Sequence, residues 1–144
     1  MPNLQEIMTN NVFTISENQS VQEAAAVMSQ NNIGAVPVVN SSGQLTGMIT
    51  DRDIALRTTA QGESAGTPVS QAMTAQQIVQ GTPEMDVHEA AQLMAQQQIR
   101  RLPVVQNGQV VGMVALGDLA VKDQFANEAE QALSSISFPS APQQ

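Results

Sequence analysis

Residues Thr50, Asp51, Arg52 and Asp53 set a hydroxyl and two carboxylates around one guanidinium within four consecutive positions. Where such a run opens a helix, unpaired amides and the helix dipole favour anionic oxygens. Thr50 and Asp53 then face whatever hydroxyl or phosphate a ligand brings. The same spacing is that of a helix cap with an acidic partner three residues on, so capping alone also accounts for both residues. A second group is Arg100-Arg101, directly ahead of Leu102-Pro103. The chain has only five cations, Arg52, Arg57, Arg100, Arg101 and Lys122, against a net charge of -8. Two of them side by side make a fork of donors suited to phosphate, each charge-assisted bond contributing about 1.5–3 kcal/mol. Salt bridges to the surplus carboxylates are the competing account. His88 lies between Asp86 and Glu89, a combination that would suit a metal or a general base. It falls in the first turn of a helix, where side chains are usually solvated, and reads as a surface residue. As the single histidine it leaves no serine or threonine with a His-acid partner, so triad-type catalysis has no support and no enzymatic activity is expected.

Composition narrows the classes further. With 42% hydrophobic residues in 144, the chain can bury one substantial core, and no apolar run approaches the length of a membrane span. The residues from Met1 to Glu6 lack a basic region followed by an apolar stretch, and there is no cysteine for a disulfide framework, so a cytoplasmic protein is expected. Absence of Cys with one His excludes Cys/His zinc and iron-sulfur sites and leaves open carboxylate sites for magnesium or calcium. The negative charge opposes a phosphate backbone. Phe13, Phe125 and Phe138, the only aromatics, supply no stacking platform, so neither nucleic acid nor membrane is an expected partner.

The elements that must position these residues occur twice. Val21–Met28 (VQEAAAVM) returns as Val87–Met94 (VHEAAQLM), and Ile33–Val39 (IGAVPVV) returns as Ile99–Val105 (IRRLPVV), both at an offset of 66. Ile7-Met8-Thr9 matches Ala72-Met73-Thr74, and Gly43–Met48 matches Gly108–Met113, both at 65. Two copies of about 60 residues are too few for an open solenoid and each alone is marginal, so they should pack as a closed pair. Each copy reads as strand, helix, strand, strand, helix. Ser20 with Glu23, and Asp86 with Glu89, mark the start of the first helix, and Asn31-Asn32 tolerates its end. Strands follow at 36–39 and 45–50, and Asn107-Gly108 in the second copy is the strongest short hairpin signal. Pro37 and Pro103 cannot donate to a ladder, which predicts an edge or bulge and main-chain groups left free for a ligand. A second helix is expected near Asp53 and near Asp118. The recurring Met28, Met94, Met48 and Met113 read as core gap-fillers. A short lead-in helix precedes each copy. The domain boundaries read as 4–60 for the first repeat, 61–67 for a linker, 68–123 for the second repeat and 124–144 for a helical extension and frayed tail.

A capped helix, an apolar-Pro-Val-Val strand, a glycine turn and then Gly-Met-Ile-Thr-Asp-Arg-Asp, largely repeated, resemble the cystathionine-beta-synthase (CBS) domain. Two in tandem look like the paired unit called a Bateman module, and the whole resembles its small stand-alone bacterial members. The resemblance implies an α/β (α+β) fold of two β-α-β-β-α repeats packed through their sheets with pseudo-two-fold symmetry. It further implies clefts between the repeats that hold adenine nucleotides or adenosyl ligands (AMP, ADP, ATP or S-adenosylmethionine), and homodimers formed through the helices. It casts Asp53 and Asp118 as ribose acceptors, Thr50 as a phosphate or ribose contact alongside Arg52, and Arg100 and Arg101 as phosphate partners whose side chains could serve either cleft. Adenine would rest on aliphatic and main-chain groups near Val36-Pro37 and Leu102-Pro103. Ala115 stands where Thr50 does in the first copy, and Gly34-Ala35 stand where the arginine pair does, so the two sites should be unequal. The expected function is regulatory sensing for an unknown partner, without a resident cofactor and with magnesium only as the companion of ATP. The alternatives are a constitutive dimeric scaffold without ligand and, third, a small hydrolase or transferase working with carboxylates and magnesium.

Overall fold

In the first repeat, every early donor of the first helix has a definite acceptor. A computed structural model describes residues 2–75 and 78–117. Helix α1 (Val21–Asn31) begins with Ser20 in extended conformation; Ser20 Oγ accepts from Glu23 N–H at 3.1 Å while Glu23 Oε1 accepts from Ser20 N–H at 3.2 Å. Val21 N–H donates to the Thr67 carbonyl at 2.8 Å and Gln22 N–H to that of Ala65 at 3.2 Å. The donors that a helix start leaves unpaired are thus taken up partly by its own cap and partly by the chain between the repeats. At the other end Asn32 adopts φ 55°, the left-handed conformation that closes many helices.

Strands β1 (Ile15–Ser16), β2 (Ala35–Val39) and β3 (Leu45–Thr50) form one sheet in that order, β1 parallel to β2 and β2 antiparallel to β3. Pro37 therefore sits on the middle strand, not the outer one. It is tolerated because its partner Met48 turns both main-chain groups outward, pairing with Thr74 at 3.0 and 2.8 Å, so Pro37–Met48 is a position without ladder bonds. Helix α2 (Asp51–Arg57) follows β3 without a loop. In the second repeat, α3 (Val87–Gln97) is capped by Asp86, whose carboxylate accepts from His88 and Glu89 N–H. Strands β4 (Arg101–Gln106) and β5 (Gln109–Ala115) then meet through Asn107 at φ 54° and Gly108 at φ 80°. Two consecutive positive φ values are what Asn-Gly tolerates in a two-residue hairpin turn. The leading strand of this repeat is reduced to one parallel bridge, Gly81 to Val104. Elements of both types in small sheets agree with the α+β expectation. The second helix expected near Asp118, Lys122 and the segment 124–144 lie outside the described residues.

The described residues form two compact units, one of 13–75 and 78 with 108–110, and one of 2–12 with 79–107 and 111–117. Each combines one repeat with the segment that leads into the other. The first core contains Ile15, Val21, Ala24, Met28, Val36, Val38 and Ile49, completed by Val69 and Ala72 from ahead of the second repeat. In the other core Val87, Ala90, Met94, Leu102, Val104, Val114 and Leu116 are joined by Leu4 from ahead of the first. The lead-in segments form 3-10 turns, Leu4–Glu6 and Val69–Gln71, in place of the short helices expected. Their bonding is the same in both units. Val87 N–H donates to the Pro2 carbonyl as Val21 does to Thr67, and Thr9 pairs with Met113 as Thr74 does with Met48. Met73 Sδ lies 2.8 Å from where a Cβ on Gly47 would stand, and Met8 covers Gly112 likewise.

Of the four recurring methionines, Met28 and Met94 are buried in these cores, whereas Met48 and Met113 are only half-buried and belong to neither. Strand alternation is the reason: Gly47 and Ile49 face the helices, which turns Met48 to the other side.

Leu4→Ala should weaken the second repeat's core by about 2–5 kcal/mol although the residue precedes the first repeat. Amide hydrogen exchange at Val104 and Val114 checks this, and unchanged protection there would contradict the exchange of lead-in segments. Gln19 and the Ser20 N–H, in that order, hold the Glu23 carboxyl below its ordinary value of 4.5. A depressed value means the cap is stabilising above the ordinary value and loses that contribution as pH falls through the lower, folded one. NMR titration of Glu23 should give a midpoint under 4.5; a midpoint at or above it would show the cap is not formed.

Candidate functional site

The candidate residues converge where β3 passes into α2. Asp51 N–H donates to the Gly34 carbonyl at 3.0 Å, tying the start of the helix to the residue that precedes β2. Thr50 Oγ1 accepts from Asp53 N–H at 3.0 Å, and Asp53 Oδ2 accepts from Thr50 N–H at 3.0 Å. Of the two sequence-based accounts of this pair, the structure shows the capping one. The capping box is formed, yet Thr50 keeps its hydroxyl proton to donate and Asp53 keeps Oδ1, which lies 3.8 Å from Arg57 Nε. With 13% of its side chain exposed, Asp53 stays within reach of a small molecule at the surface.

Three further residues at this junction carry charge. Arg57 extends from α2 to donate through Nη1 to the carbonyls of Met73 at 3.1 Å and Ala72 at 3.5 Å, so its guanidinium is held by the lead-in segment. The exposed Asp51 places Oδ1 on Arg52 N–H at 2.7 Å and Oδ2 against the bare Cα of Gly34. Arg52 is exposed beside it. Sequence reading missed Arg57 because its acceptors are backbone carbonyls sixteen residues away. For Asp51 there was a signal, namely that its counterpart is Leu116 while Asp53 is matched by Asp118.

Val36 and Pro37 are buried, with Val36 in the core beside Ile49. Any contact they make with a ligand is through main chain or the proline ring. The equivalent junction of the second repeat has the same frame and different side chains. Leu116 N–H donates to the Arg100 carbonyl at 3.1 Å, as Asp51 does to Gly34. Arg100 is exposed and Arg101 half-buried; alternation along β4 puts Arg101 on the face of Pro103, opposite the core residue Leu102. Pro103 does not leave its carbonyl free as expected, because Gly81 N–H donates to it at 2.9 Å. Ala115 occupies the position of Thr50, and Leu116 is buried where Asp51 is exposed. Asp118 lies outside the described residues. His88, in the first turn of α3, is away from both junctions in the sequence, and no group of three or more His, Cys, Asp or Glu converges among the described residues. No helix among them is long and apolar enough to cross a membrane.

This architecture is shared with known proteins. The CBS domain family pattern matches residues 4–57 and again 67–122. The CBS domain-containing protein YhcV of Bacillus subtilis is 54% identical over 137 residues, covering 95% of this chain and 96% of its own. Among solved structures, the CBS domain pair of protein MJ0100, in complex with 5'-methylthioadenosine and S-adenosyl-L-methionine, is 28% identical with a TM-score of 0.76, covering 89% of this chain and 98% of its own. The CBS domain protein PAE2072 of Pyrobaculum aerophilum, complexed with AMP, has a TM-score of 0.79 over 90% of this chain and 98% of its own, and at 23% identity that likeness speaks for the fold. With a capped helix and a proline-bearing strand in each of two repeats, and the family pattern matched twice in register with them, the chain belongs to the CBS domain family as a tandem pair.

Proposed function

We propose that this chain is a regulatory sensor that takes an adenosyl ligand, such as AMP, ADP, ATP or S-adenosylmethionine, at the strand-helix junctions of its two repeats. The observation that carries this reading is the junction at Thr50 and Asp53. A hydroxyl with a proton to give and a carboxylate with an oxygen to spare suit the vicinal hydroxyls of a ribose, and they are locked in place by the capping box. Support comes from the CBS pair solved with two adenosyl compounds, which shares the fold over most of this chain. Magnesium enters only with ATP. The reading is one of binding without catalysis, supported by a single histidine that leaves no serine or threonine with a His-acid partner.

Signalling requires that the ligand favour one conformation over another, because a ligand binding both equally shifts nothing. The change is read by a partner protein or by a second copy of the chain in the cytoplasm. Helices provide the contact between copies, and Leu56, 47% exposed on α2, is an apolar residue available to it.

Isothermal titration with AMP, ADP, ATP and S-adenosylmethionine should show saturable binding in the micromolar range for at least one of them, and Asp53→Ala should weaken at least tenfold the ligand held at the first junction. Because Asp53 also caps α2, that substitution will cost about 0.5–2 kcal/mol of stability by itself. Glu23→Ala, which breaks the cap of α1, serves as the control and should leave affinity unchanged. Absence of binding by all four compounds would leave the ligand-free scaffold as the function.

A further inference from the structure

The two junctions share a backbone hydrogen bond and differ in charge. The matching bonds from Asp51 to Gly34 and from Leu116 to Arg100 show that positions 34 and 100, and positions 51 and 116, are equivalent. In the first repeat residue 34 has no side chain, and the Asp51 carboxylate fills the place where one would begin: a Cβ on Gly34 would stand 3.3 Å from Asp51 Oδ2. In the second repeat an arginine side chain starts from that same place, another follows at Arg101, and the position of the carboxylate is taken by the buried Leu116. A carboxylate is thus replaced by a guanidinium at one point of a shared frame.

The remaining charges do not offset this. Around the first junction stand Asp51, Arg52, Asp53 and Arg57, which sum to zero, and Arg57 is committed to Asp53 and to the carbonyls of Ala72 and Met73. In the sequence, the second junction answers positions 34, 35, 51, 52, 53 and 57 with Arg100, Arg101, Leu116, Gly117, Asp118 and Lys122, which sum to plus two. Phosphate brought to the first junction meets two carboxylates, whereas at the second it meets a net positive charge. For a cationic group the preference runs the other way.

Building on the adenosyl reading above, we infer that the two sites divide ligands by charge. The first repeat takes an adenosyl compound without phosphate, neutral or bearing a sulfonium cation, and the second takes the nucleoside phosphate. One chain would then weigh the supply of a phosphorylated adenosine against that of an unphosphorylated or sulfonium one.

Titrations of the full chain with AMP, 5'-methylthioadenosine and S-adenosylmethionine test this. AMP is expected to fill one high-affinity site per chain that Arg100→Ala with Arg101→Ala weakens at least tenfold, while S-adenosylmethionine binding survives in that variant. The triple variant Gly34→Arg, Ala35→Arg, Asp51→Leu gives the first junction the side chains of the second. It should raise the AMP stoichiometry from one to two and weaken S-adenosylmethionine at least tenfold. Should that variant fold poorly, Asp51→Asn, at an exposed position, is expected to weaken S-adenosylmethionine severalfold and strengthen AMP. Equal AMP affinity at two sites of the unmodified chain, or sulfonium binding indifferent to Asp51, would overturn the division and leave the adenosyl reading standing. Failure of all three compounds to bind would overturn both.

Discussion

The exchange of lead-in segments is the constraint on which the rest of this molecule depends. Neither repeat holds its own closing residues. Leu4 stands ahead of the first repeat and is fully buried in the core of the second, while Val69 does the reverse. The same short segments supply the carbonyls of Pro2 and Thr67 that receive the first donor of α3 and of α1. They also supply the threonines that pair with the outer edge of β3 and β5 and the methionines that cover Gly47 and Gly112. A repeat of this size buries too little surface to be comfortable alone, and the borrowed segment adds apolar contact, helix capping and strand pairing together.

The candidate site depends on the same arrangement. Arg57 is held by the carbonyls of Ala72 and Met73, both in the segment leading to the second repeat, and through Arg57 that segment touches Asp53. Asp53 is also the partner of Thr50 in the cap of α2. Capping and ligand binding therefore are not rival explanations of these two residues. A cap fixes rotamers that would otherwise have to be ordered by the ligand, and the lone pairs and proton it leaves over point to a site already organised.

What could be read from the chain was whatever is local. The Ser20–Glu23 box, Asp86 as a cap, the Asn-Gly hairpin and the β2–β3 pair all rest on residues a few positions apart, and each is present. Comparing the copies also exposed the inequality of the two sites, since Gly34-Ala35 against Arg100-Arg101 needs no structure to be seen. Illegible were features set by distant partners. Met48 resembles a core residue in an apolar run, and only the choice of Gly47 and Ile49 as the inward residues turns it away. Pro37 was expected at an edge or a bulge; it lies on a middle strand, one residue before the register shift at Val38/Val39, and is accepted there because Met48 spends both main-chain groups on Thr74. The repeat of Ile-Met-Thr as Ala-Met-Thr announced that these segments matter, but nothing in it told which core each would enter.

That Met8 fits Gly112 and Met73 fits Gly47 has a consequence for the history written in the two copies. After a duplication, halves with separate interiors can drift apart independently. Here a change in one half's lead-in must be accommodated by the strand of the other, so methionine and glycine are matched across the duplication and each copy acts as a template restraining its twin. Side chains at positions 34, 35 and 51, which answer to no such cross-check, were free to part company, and it is there that the two halves differ in charge.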